Sequence, residues 1–230
     1  MTKIIGHRGA RGLAAENTIA AIDAALALGV DGIEIDVRVT KDNVPVLIHD
    51  PALVLPNGER LVVAETDLTT LVHAKPDLTT LASAIRHIDQ KTPLMVEVKP
   101  HVAIEPVVAV LRSFLDKGWR TECFVLGSKR QADLRGLHAA LPELATTVIE
   151  AWSGLRATWR ARQLHTKRIT MNHKFLWSGF LVSMRRRGYT LYVYTLNNPQ
   201  RAKRWEQYGL GGVITDRPDL FLAVKTKEPS

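Results

Sequence analysis

Short apolar runs alternate along the chain with longer segments that have helical periodicity. This alternation is typical of parallel β-α-β units, in which a buried strand is followed by a helix that packs on the sheet. The predicted strands are residues 3–6, 32–37, 93–98, 123–127, 144–149, 168–171, 190–195 and 211–215. Eight such strands are what a closed α/β barrel requires, so the pattern predicts a barrel.

Helix boundary signals lie between these strands. The segment 17–29 opens with a capping Asn or Thr and ends at glycine, and the segment 199–209 opens with proline and ends at glycine. The segments 104–118 and 179–188 end at glycine in the same way. Proline in the first turn and glycine after the last turn are ordinary helix boundaries, so these segments predict the helices of a (β/α)8 barrel.

One region departs from this alternation. Residues 44–78 contain a hairpin-like "PNGE" and are too long for an ordinary connection between a strand and a helix. No Ser/Pro-rich linker or low-complexity tract divides the chain. We therefore predict a single α/β domain over residues 1–230, a TIM (β/α)8 barrel with a small excursion after the second strand that includes a short insertion at about residues 51–78.

The chain is basic, with a net charge of +8 and a pI near 9.8, and this charge favours anionic partners such as phosphate esters, nucleic acid or a membrane surface. The basic run 184–188 lies at a predicted helix C-terminus, where the helix dipole favours cations, and no nucleic-acid motif accompanies it. We expect no nucleic-acid partner and no stable membrane insertion. The pattern makes no prediction of oligomeric state.

Cysteine content and hydropathy bear on the compartment. The single cysteine, Cys123, has no partner for an internal disulfide. No segment approaches the roughly 18 consecutive apolar residues of a membrane helix, and the chain opens directly with a strand pattern rather than a leader pattern. These features predict a cytoplasmic protein.

Carboxylates alternate on two of the predicted strands. "GIEIDV" places Glu34 and Asp36 on the same side, and "VEVK" does the same for Glu97 and Lys99. Charged groups inside apolar runs are costly to bury without a partner. Lys99 and Arg8 supply part of the positive charge, and a hard divalent cation such as Mg²⁺ or Ca²⁺ suits the oxygen ligands, whereas zinc would recruit more histidine or cysteine.

Two histidines accompany the carboxylates. His7 and Arg8 follow the first strand, and His49 ends the run "VPVLIHD". Imidazole titrates near physiological pH, so a histidine pair suits a reaction that removes one proton and donates another. With Arg8 and Lys99 holding phosphoryl oxygens, the set predicts phosphodiester cleavage.

Five blocks of the sequence resemble the glycerophosphodiester phosphodiesterase family and occur in that family's order. They are "GHRGARGLAAENT", "GIEIDVRVTKDNVPVLIHD", "MVEVKP", "YVYTLNNP" and "GVITDRPD". The resemblance implies a barrel that hydrolyses glycerophosphodiesters to sn-glycerol 3-phosphate and an alcohol with one divalent metal ion, Mg²⁺ or Ca²⁺ or alternatively Mn²⁺. Its partner is then a small-molecule glycerophosphodiester.

The resemblance also implies roles for residues of the matching motifs. Carried over by motif, His7 and His49 form the acid/base pair, without a prediction of which acts first; the metal ligands are Glu34, Asp36 and Glu97, and the phosphate-binding residues are Arg8 and Lys99. In the block around residues 16–18 we expect Glu16 to orient Arg8 or His7 and Asn17 to cap the first helix. Asp216 is expected to cap the last helix.

The sequence departs from the family pattern near the expected substrate. Tyr194 stands where relatives often carry Trp, and we expect it to contact substrate; Lys129 replaces an aromatic contact. Two alternatives stay open. One is a lysophospholipase D-type hydrolase with an apolar channel beside the cleft, and the other is a barrel that binds phosphate esters without turnover.

Overall fold

Eight parallel strands close into a barrel in the computed structural model, which describes residues 2–225. The strands of this part of the chain are β1 (Lys3–Gly6), β2 (Gly32–Val39), β3 (Pro45–Leu47), β4 (Ala52–Val54), β5 (Arg60–Val62), β6 (Leu94–Val98), β7 (Phe124–Ser128), β8 (Ala145–Glu150), β9 (Arg168–Asn172), β10 (Thr190–Tyr194) and β11 (Leu210–Thr215). The barrel order is β1, β2, β6, β7, β8, β9, β10 and β11. β1 pairs in parallel with both β2 and β11, and this double pairing closes the barrel.

All eight predicted strands are confirmed as barrel strands, with small differences at their ends. The helices that surround them are α1 (Ile19–Ala27), α2 (Leu68–Ala74), α3 (Leu81–Ile88), α4 (Glu105–Leu115), α5 (Gln131–Ala140), α6 (Gly154–Gln163), α7 (Ser178–Arg186), α8 (Pro199–Glu206) and α9 (Pro218–Lys225). The four helices predicted from their boundary signals correspond to α1, α4, α7 and α8. The TIM (β/α)8 prediction is therefore confirmed.

Side-chain caps fix where the helices begin. The Thr18 hydroxyl accepts a hydrogen bond from the Ala21 N–H at 3.2 Å and caps α1, so the expectation that Asn17 caps this helix is wrong. The Asn198 side chain accepts from the Arg201 N–H at 2.9 Å and caps α8, whose first residue is Pro199. An oxygen acceptor at this position satisfies an N–H group that has no partner inside the helix.

The strand side chains alternate between two apolar layers, one between the barrel and the helices and one inside the barrel. Outward-facing residues of β2 and β6, such as Ile33, Ile35 and Val96, pack under the helices in a large apolar cluster. Ile5 and Met95 belong to a smaller cluster formed by β1, β6, β10 and β11. Glu34, Asp36 and Glu97 alternate with the outward-facing residues of β2 and β6, so the same period of two places these carboxylates inside the barrel.

The excursion after β2 has a small core of its own. β3 runs antiparallel to β2. β4 and β5 form the hairpin around the "PNGE" turn that the sequence predicts. Beyond the hairpin, α2 packs its buried Leu71 against Val46, Ile48, Val63 and Leu78. This cluster stabilises the polypeptide that carries His49 to the mouth of the barrel.

None of the helices in residues 2–225 has both the length and the apolar character needed to cross a bilayer.

Candidate active site

A cleft of about 310 Å³ opens at the C-terminal ends of the barrel strands, the end at which TIM barrels carry their active sites. Most of the predicted site residues line it. The lining residues are His7, Arg8, Asp36, His49, Glu97, Lys99, Lys129, Asn172, His173, Lys174, Tyr194 and Thr195. Glu34 lies beside Asp36 and Glu97, while Glu16 and Asn17 contact Arg8 and Asp36.

Three carboxylates meet inside the barrel. Glu34, Asp36 and Glu97 each offer an oxygen atom, and these oxygens lie within 4.8 Å of one another. All three residues are buried. Among the described residues neither histidine nor cysteine joins the cluster. An all-oxygen ligand set of this kind suits a hard cation such as Mg²⁺, Ca²⁺ or Mn²⁺ better than zinc.

Asp36 is held as a carboxylate by two cations. The Lys99 Nζ lies 2.5 Å from its Oδ1, and the Arg8 Nε lies 2.9 Å from its Oδ2. Burial would raise the pKa of Asp36, but the attraction of Lys99 and Arg8 outweighs burial and lowers this pKa to about 2. The negative charge of Asp36 is therefore already shared with protein groups.

Asn17 supports Asp36 rather than the first helix. The Asn17 Nδ2 donates to Asp36 Oδ2 at 3.1 Å, and the Asp36 backbone N–H donates to Asn17 Oδ1 at 3.1 Å. Asn17 has a positive φ of 58°, a backbone conformation that Asn tolerates better than most residues. This conformation turns its amide towards the carboxylate cluster. Because the Asn17 side chain is engaged there, the Thr18 hydroxyl caps α1.

The pKa of Glu34 is shifted in the opposite direction to that of Asp36. Its Oε2 accepts a hydrogen bond from the Arg8 backbone N–H at 3.0 Å, and the His7 Nε2 lies 3.9 Å from it. No lysine or arginine side chain of the described residues forms an ion pair with it. Burial, followed by repulsion from Asp36 and Glu97, raises the pKa of Glu34 well above its ordinary value. The cluster therefore lacks positive charge at Glu34, and a bound divalent cation would supply it.

Lys99 lies between two of the carboxylates. Its Nζ donates to Glu97 Oε1 at 2.7 Å besides its contact with Asp36. Burial would lower the pKa of Lys99, but attraction to Glu97, Asp36 and Glu34 raises it. A second ammonium, that of Lys129, lies 3.6 Å from Glu97 Oε1 and 5.9 Å from the centre of the Tyr194 ring.

His7 is held by a residue whose role the sequence prediction missed. Its Nδ1 donates to Asp216 Oδ1 at 2.6 Å, which leaves Nε2 on the side of Glu34. Asp216 also forms an ion pair with the Arg11 Nε, 2.8 Å from its Oδ1, and its Oδ2 accepts a hydrogen bond from the Asn197 Nδ2 at 2.9 Å. Burial would raise the pKa of Asp216, but the hydrogen bonds from His7 and Asn197 and the charges of His7 and Arg11 lower it to about 2.

These contacts correct the expectation that Asp216 caps the last helix. Both of its carboxylate oxygens are engaged by other residues, and one of them holds His7. A signal for this role was present in the sequence, because Asp216 follows the last strand in the way that His7 follows the first. Charged residues at strand ends share one rim of the barrel.

We expect Asp216→Asn to lower kcat about 10- to 100-fold, by comparison with the range for groups that orient metal-bound imidazoles. The asparagine keeps the size of the side chain but no longer fixes the Nδ1 proton of His7 with a charged acceptor. The measurement is steady-state kinetics on a soluble glycerophosphodiester. Asp219→Asn is the matched control, because Asp219 pairs with Arg217 on the surface, and an equal loss in both variants would contradict a specific role for Asp216.

His49 is carried to the cleft by the segment after β3. Its Nδ1 donates to Asp50 Oδ1 at 2.7 Å, and its backbone oxygen accepts from the Arg38 Nε at 2.9 Å. Burial and the charge of Lys99 lower the pKa of His49 against the opposing effect of Asp50. Its Nε2 makes no hydrogen bond within residues 2–225, so this nitrogen of a cleft-lining imidazole has no protein partner.

The loop after β1 brings backbone close to α1. The Arg8 guanidinium donates to Glu16 Oε1 at 2.7 Å, the contact expected of Glu16, and Arg8 itself has a φ of 51°. Gly9 follows with a φ of 84°, and a Cβ placed there would lie 2.5 Å from the Ala21 backbone carbon. Glycine therefore lets the loop pack against α1 while it presents Arg8 to the cleft.

Gly9→Ala is expected to destabilise the fold, because the left-handed φ adds strain of about 1–3 kcal/mol and overpacking against α1 adds about 1–3 kcal/mol more. Gly29→Ala is the matched control, since Gly29 has a φ of 67° but open space around its missing Cβ. Thermal unfolding of both variants separates strain from contact. Equal melting temperatures would show that the contact with α1 contributes nothing.

Tyr194 lies beside the carboxylates with its hydroxyl buried and without a hydrogen-bond partner among the described residues. Burial, followed by the charges of Glu97 and Glu150, raises its pKa, so the phenol stays protonated. A neutral ring next to the Lys129 ammonium forms one wall of the cleft. His173, another lining residue, has its pKa lowered by burial and by the charge of Arg201.

A model of the glycerophosphoryl diester phosphodiesterase family matches residues 7–220. The chain is 27% identical over 246 residues to the glycerophosphodiester phosphodiesterase of Caldanaerobacter subterraneus subsp. tengcongensis, and the alignment covers 98% of each chain.

Solved structures share the fold. A phosphodiesterase of Oleispira antarctica, solved in complex with the product sn-glycerol-3-phosphate, superposes with a TM-score of 0.87 at 24% identity over 99% of this chain and 98% of that one. A glycerophosphodiester phosphodiesterase of Agrobacterium tumefaciens superposes with a TM-score of 0.80 at 25% identity over 97% of this chain and 100% of that one.

Proposed function

The chain belongs to the glycerophosphoryl diester phosphodiesterase family, and on that premise we propose that it releases sn-glycerol 3-phosphate and an alcohol from its substrates with one divalent metal ion and with His7 and His49 as acid and base. Family membership makes it a phosphoric diester hydrolase of the glycerophosphodiester phosphodiesterase type. The observation that supports the finer mechanism is the buried carboxylate cluster beside two imidazoles.

Glu34, Asp36 and Glu97 would hold the metal ion. Their oxygens converge, and the raised pKa of Glu34 marks the place where positive charge is missing. When bound, a divalent ion polarises the phosphoryl group and offsets the charge that develops on it. Mg²⁺, Ca²⁺ and Mn²⁺ all accept such oxygen ligands.

Arg8 and Lys99 bind the phosphoryl oxygens in this proposal. Both cations line the cleft, and both are fixed by carboxylates on their inner side, Arg8 by Asp36 and Glu16 and Lys99 by Asp36 and Glu97. Cations held in place before the reaction stabilise developing negative charge without reorganisation. Tyr194 and Lys129 then border the side of the cleft that receives the substrate.

His49 acts first as the base and His7 as the acid. The lowered pKa of His49 keeps its imidazole neutral near neutral pH, so its Nε2 accepts the proton of the attacking hydroxyl, from water or from the glycerol 2-hydroxyl. A new P–O bond forms as the bond to the alcohol breaks, and His7 Nε2 gives a proton to the departing alcohol oxygen. Attack by the 2-hydroxyl yields a cyclic phosphate, which water opens with the two roles reversed.

The test is release of sn-glycerol 3-phosphate from choline, ethanolamine, glycerol and inositol glycerophosphodiesters and from one lysophospholipid. Metal-stripped protein receives Mg²⁺, Ca²⁺ or Mn²⁺ singly, and phosphorus NMR follows any cyclic phosphate. We expect release that depends on the returned metal. Binding of glycerol phosphate by folded protein without release under any condition would contradict the proposal and favour the non-catalytic barrel.

Preference for the lysophospholipid over every short diester would instead favour the lysophospholipase D alternative. The same panel therefore distinguishes the chemistry of the site from the identity of its substrate.

A further inference from the structure

Large apolar side chains are exposed on one side of the cleft. Within the described residues, Trp152, Leu155, Trp159, Phe175 and Trp177 are 69%, 85%, 56%, 41% and 64% exposed. Isolated exposed apolar residues, as Trp159 in the middle of α6 is, are ordinary on a protein surface, but several that share one end of the barrel mark a contact surface.

The other four residues lie at the rim that carries the active site. Trp152 follows β8, Phe175 and Trp177 follow β9, and Leu155 lies in the first turn of α6. The Trp152 and Phe175 rings contact each other at 5.5 Å between centroids, so the two loops meet. We call Trp152, Leu155, Phe175 and Trp177 the aromatic rim.

The aromatic rim borders the catalytic cleft directly. Asn172, His173 and Lys174 line the cleft, and Phe175 is the next residue along the chain. A surface that contacts the aromatic rim is therefore brought to the mouth of the cleft.

The segment that carries the aromatic rim is basic. Residues 151–205 contain twelve lysines and arginines and neither aspartate nor glutamate, and Arg156, Lys174 and Arg201 of this set lie at the rim end of the barrel. The preceding Glu150 is buried, and its carboxylate accepts from Arg156 at 2.6 Å. Lys174 is exposed beside Phe175 and makes no ion pair within the described part of the chain, and Arg201 is exposed in the first turn of α8, at the same end of the barrel. No carboxylate in this stretch opposes an approaching anionic surface.

We propose that the aromatic rim docks on an anionic lipid bilayer. Tryptophan and phenylalanine rings are favoured at the boundary between lipid headgroups and hydrocarbon, and an exposed leucine among them adds apolar area to the contact. Lysine and arginine beside them are attracted to anionic headgroups. Nucleic acid would match the charge but leaves the 85% exposed Leu155 without a reason. Docking places the cleft against the membrane surface and does not depend on the proposed reaction mechanism.

The experiment measures binding of the full chain to sedimented vesicles of phosphatidylcholine alone and of phosphatidylcholine with a quarter of phosphatidylglycerol. We expect binding to the anionic vesicles that falls as salt rises. Trp152→Ala/Trp177→Ala should weaken it about tenfold or more, because apolar area leaves the interface. Lys174→Ser should weaken it about fivefold, as loss of one cation near the surface predicts.

Two variants serve as controls, and both should bind like the unsubstituted chain. Val72→Ala removes an exposed apolar group on α2, and Lys91→Ser removes a cation before β6, at the opposite end of the barrel. The Trp152→Ala/Trp177→Ala variant should hydrolyse a soluble diester at the unsubstituted rate, which shows that it is folded.

Three outcomes would overturn the docking proposal. The first is absence of vesicle binding, and the second is vesicle binding that the tryptophan variant leaves unchanged. The third is rim-dependent binding to a DNA duplex, or rim-dependent dimerisation in sedimentation velocity, without vesicle binding.

Discussion

Replacing His49 with alanine is expected to lower kcat roughly 10²–10⁴-fold, the contribution of a positioned general acid or base. His49 lines the cleft through a short segment that approaches from the excursion, and its Nδ1 is fixed by Asp50. Alanine removes the proposed proton acceptor and leaves Asp36, Lys99 and Glu97 paired with one another. The measurement is kcat and KM on the best diester with saturating metal, and KM should change much less than kcat.

The pH profile gives the same prediction an independent readout. Burial and Lys99 lower the pKa of His49, and the neutral form is the one that accepts a proton. Activity should therefore fall as pH drops through this lowered pKa, which lies below the ordinary value of about 6.5 for histidine. The acid limb of kcat/KM should be absent from the residual activity of His49→Ala.

A matched control is available on the outside of the barrel. His87 on α3 pairs with Asp23 on α1 as His49 pairs with Asp50, but it lies on the surface between two helices. His87→Ala should keep both kcat and the acid limb. A His49→Ala variant that retains full kcat with an unchanged pH profile would exclude His49 as the base.

Much of this site is predictable because a parallel barrel brings the C-terminal ends of all its strands to one rim. His7 and Arg8 after β1 and the alternating Glu34 and Asp36 of β2 meet as the local patterns indicate. Lys99 is close to these residues for the same reason. Local pattern therefore suffices wherever the side chain's direction follows from the strand itself.

What the sequence prediction missed depends on contacts between distant residues. Asp216 holds His7 across 209 positions of sequence, and only the closure of the barrel, which pairs β1 with β11, brings the two strand ends together. Asn17 has the identity of a helix cap, but its positive φ directs it to Asp36 instead. Side chains on loops take their direction from tertiary contacts, so their residue type alone assigns the wrong partner.

Glu34 and Asp36 show the same limit in their electrostatics. The two carboxylates occupy equivalent positions on β2, yet the pKa of Asp36 is lowered to about 2 and that of Glu34 is raised. The difference arises because Lys99 and Arg8 both pair with Asp36 and neither pairs with Glu34. Protein cations neutralise Asp36, whereas Glu34 has no such ion pair among the described residues.

This asymmetry predicts opposite stabilities for two variants that both lose activity. Glu34→Gln removes a buried charge repelled by its neighbours, so the metal-stripped protein should melt higher, by about 2–4 °C for each kcal/mol gained. Asp36→Asn leaves Lys99 and Arg8 without their shared partner, and breaking a buried pair costs about 3–5 kcal/mol, so it should melt lower. Both should lower kcat/KM at least about 10²-fold through lost charge stabilisation and weaker metal binding.

The pH dependence fixes the sign of the Glu34 effect. A raised folded-state pKa means that the stability from protonated Glu34 is fully present below the unfolded pKa and is lost as pH rises through the folded one. The advantage of Glu34→Gln over the unsubstituted metal-stripped protein should therefore grow with pH and shrink when Mn²⁺ is added. Melting curves across pH, with calorimetric titration of Mn²⁺, test both. A Glu34→Gln variant that melts lower than the unsubstituted protein at every pH would show that protein groups already neutralise the Glu34 charge without metal. That result would contradict a cation site at this cluster.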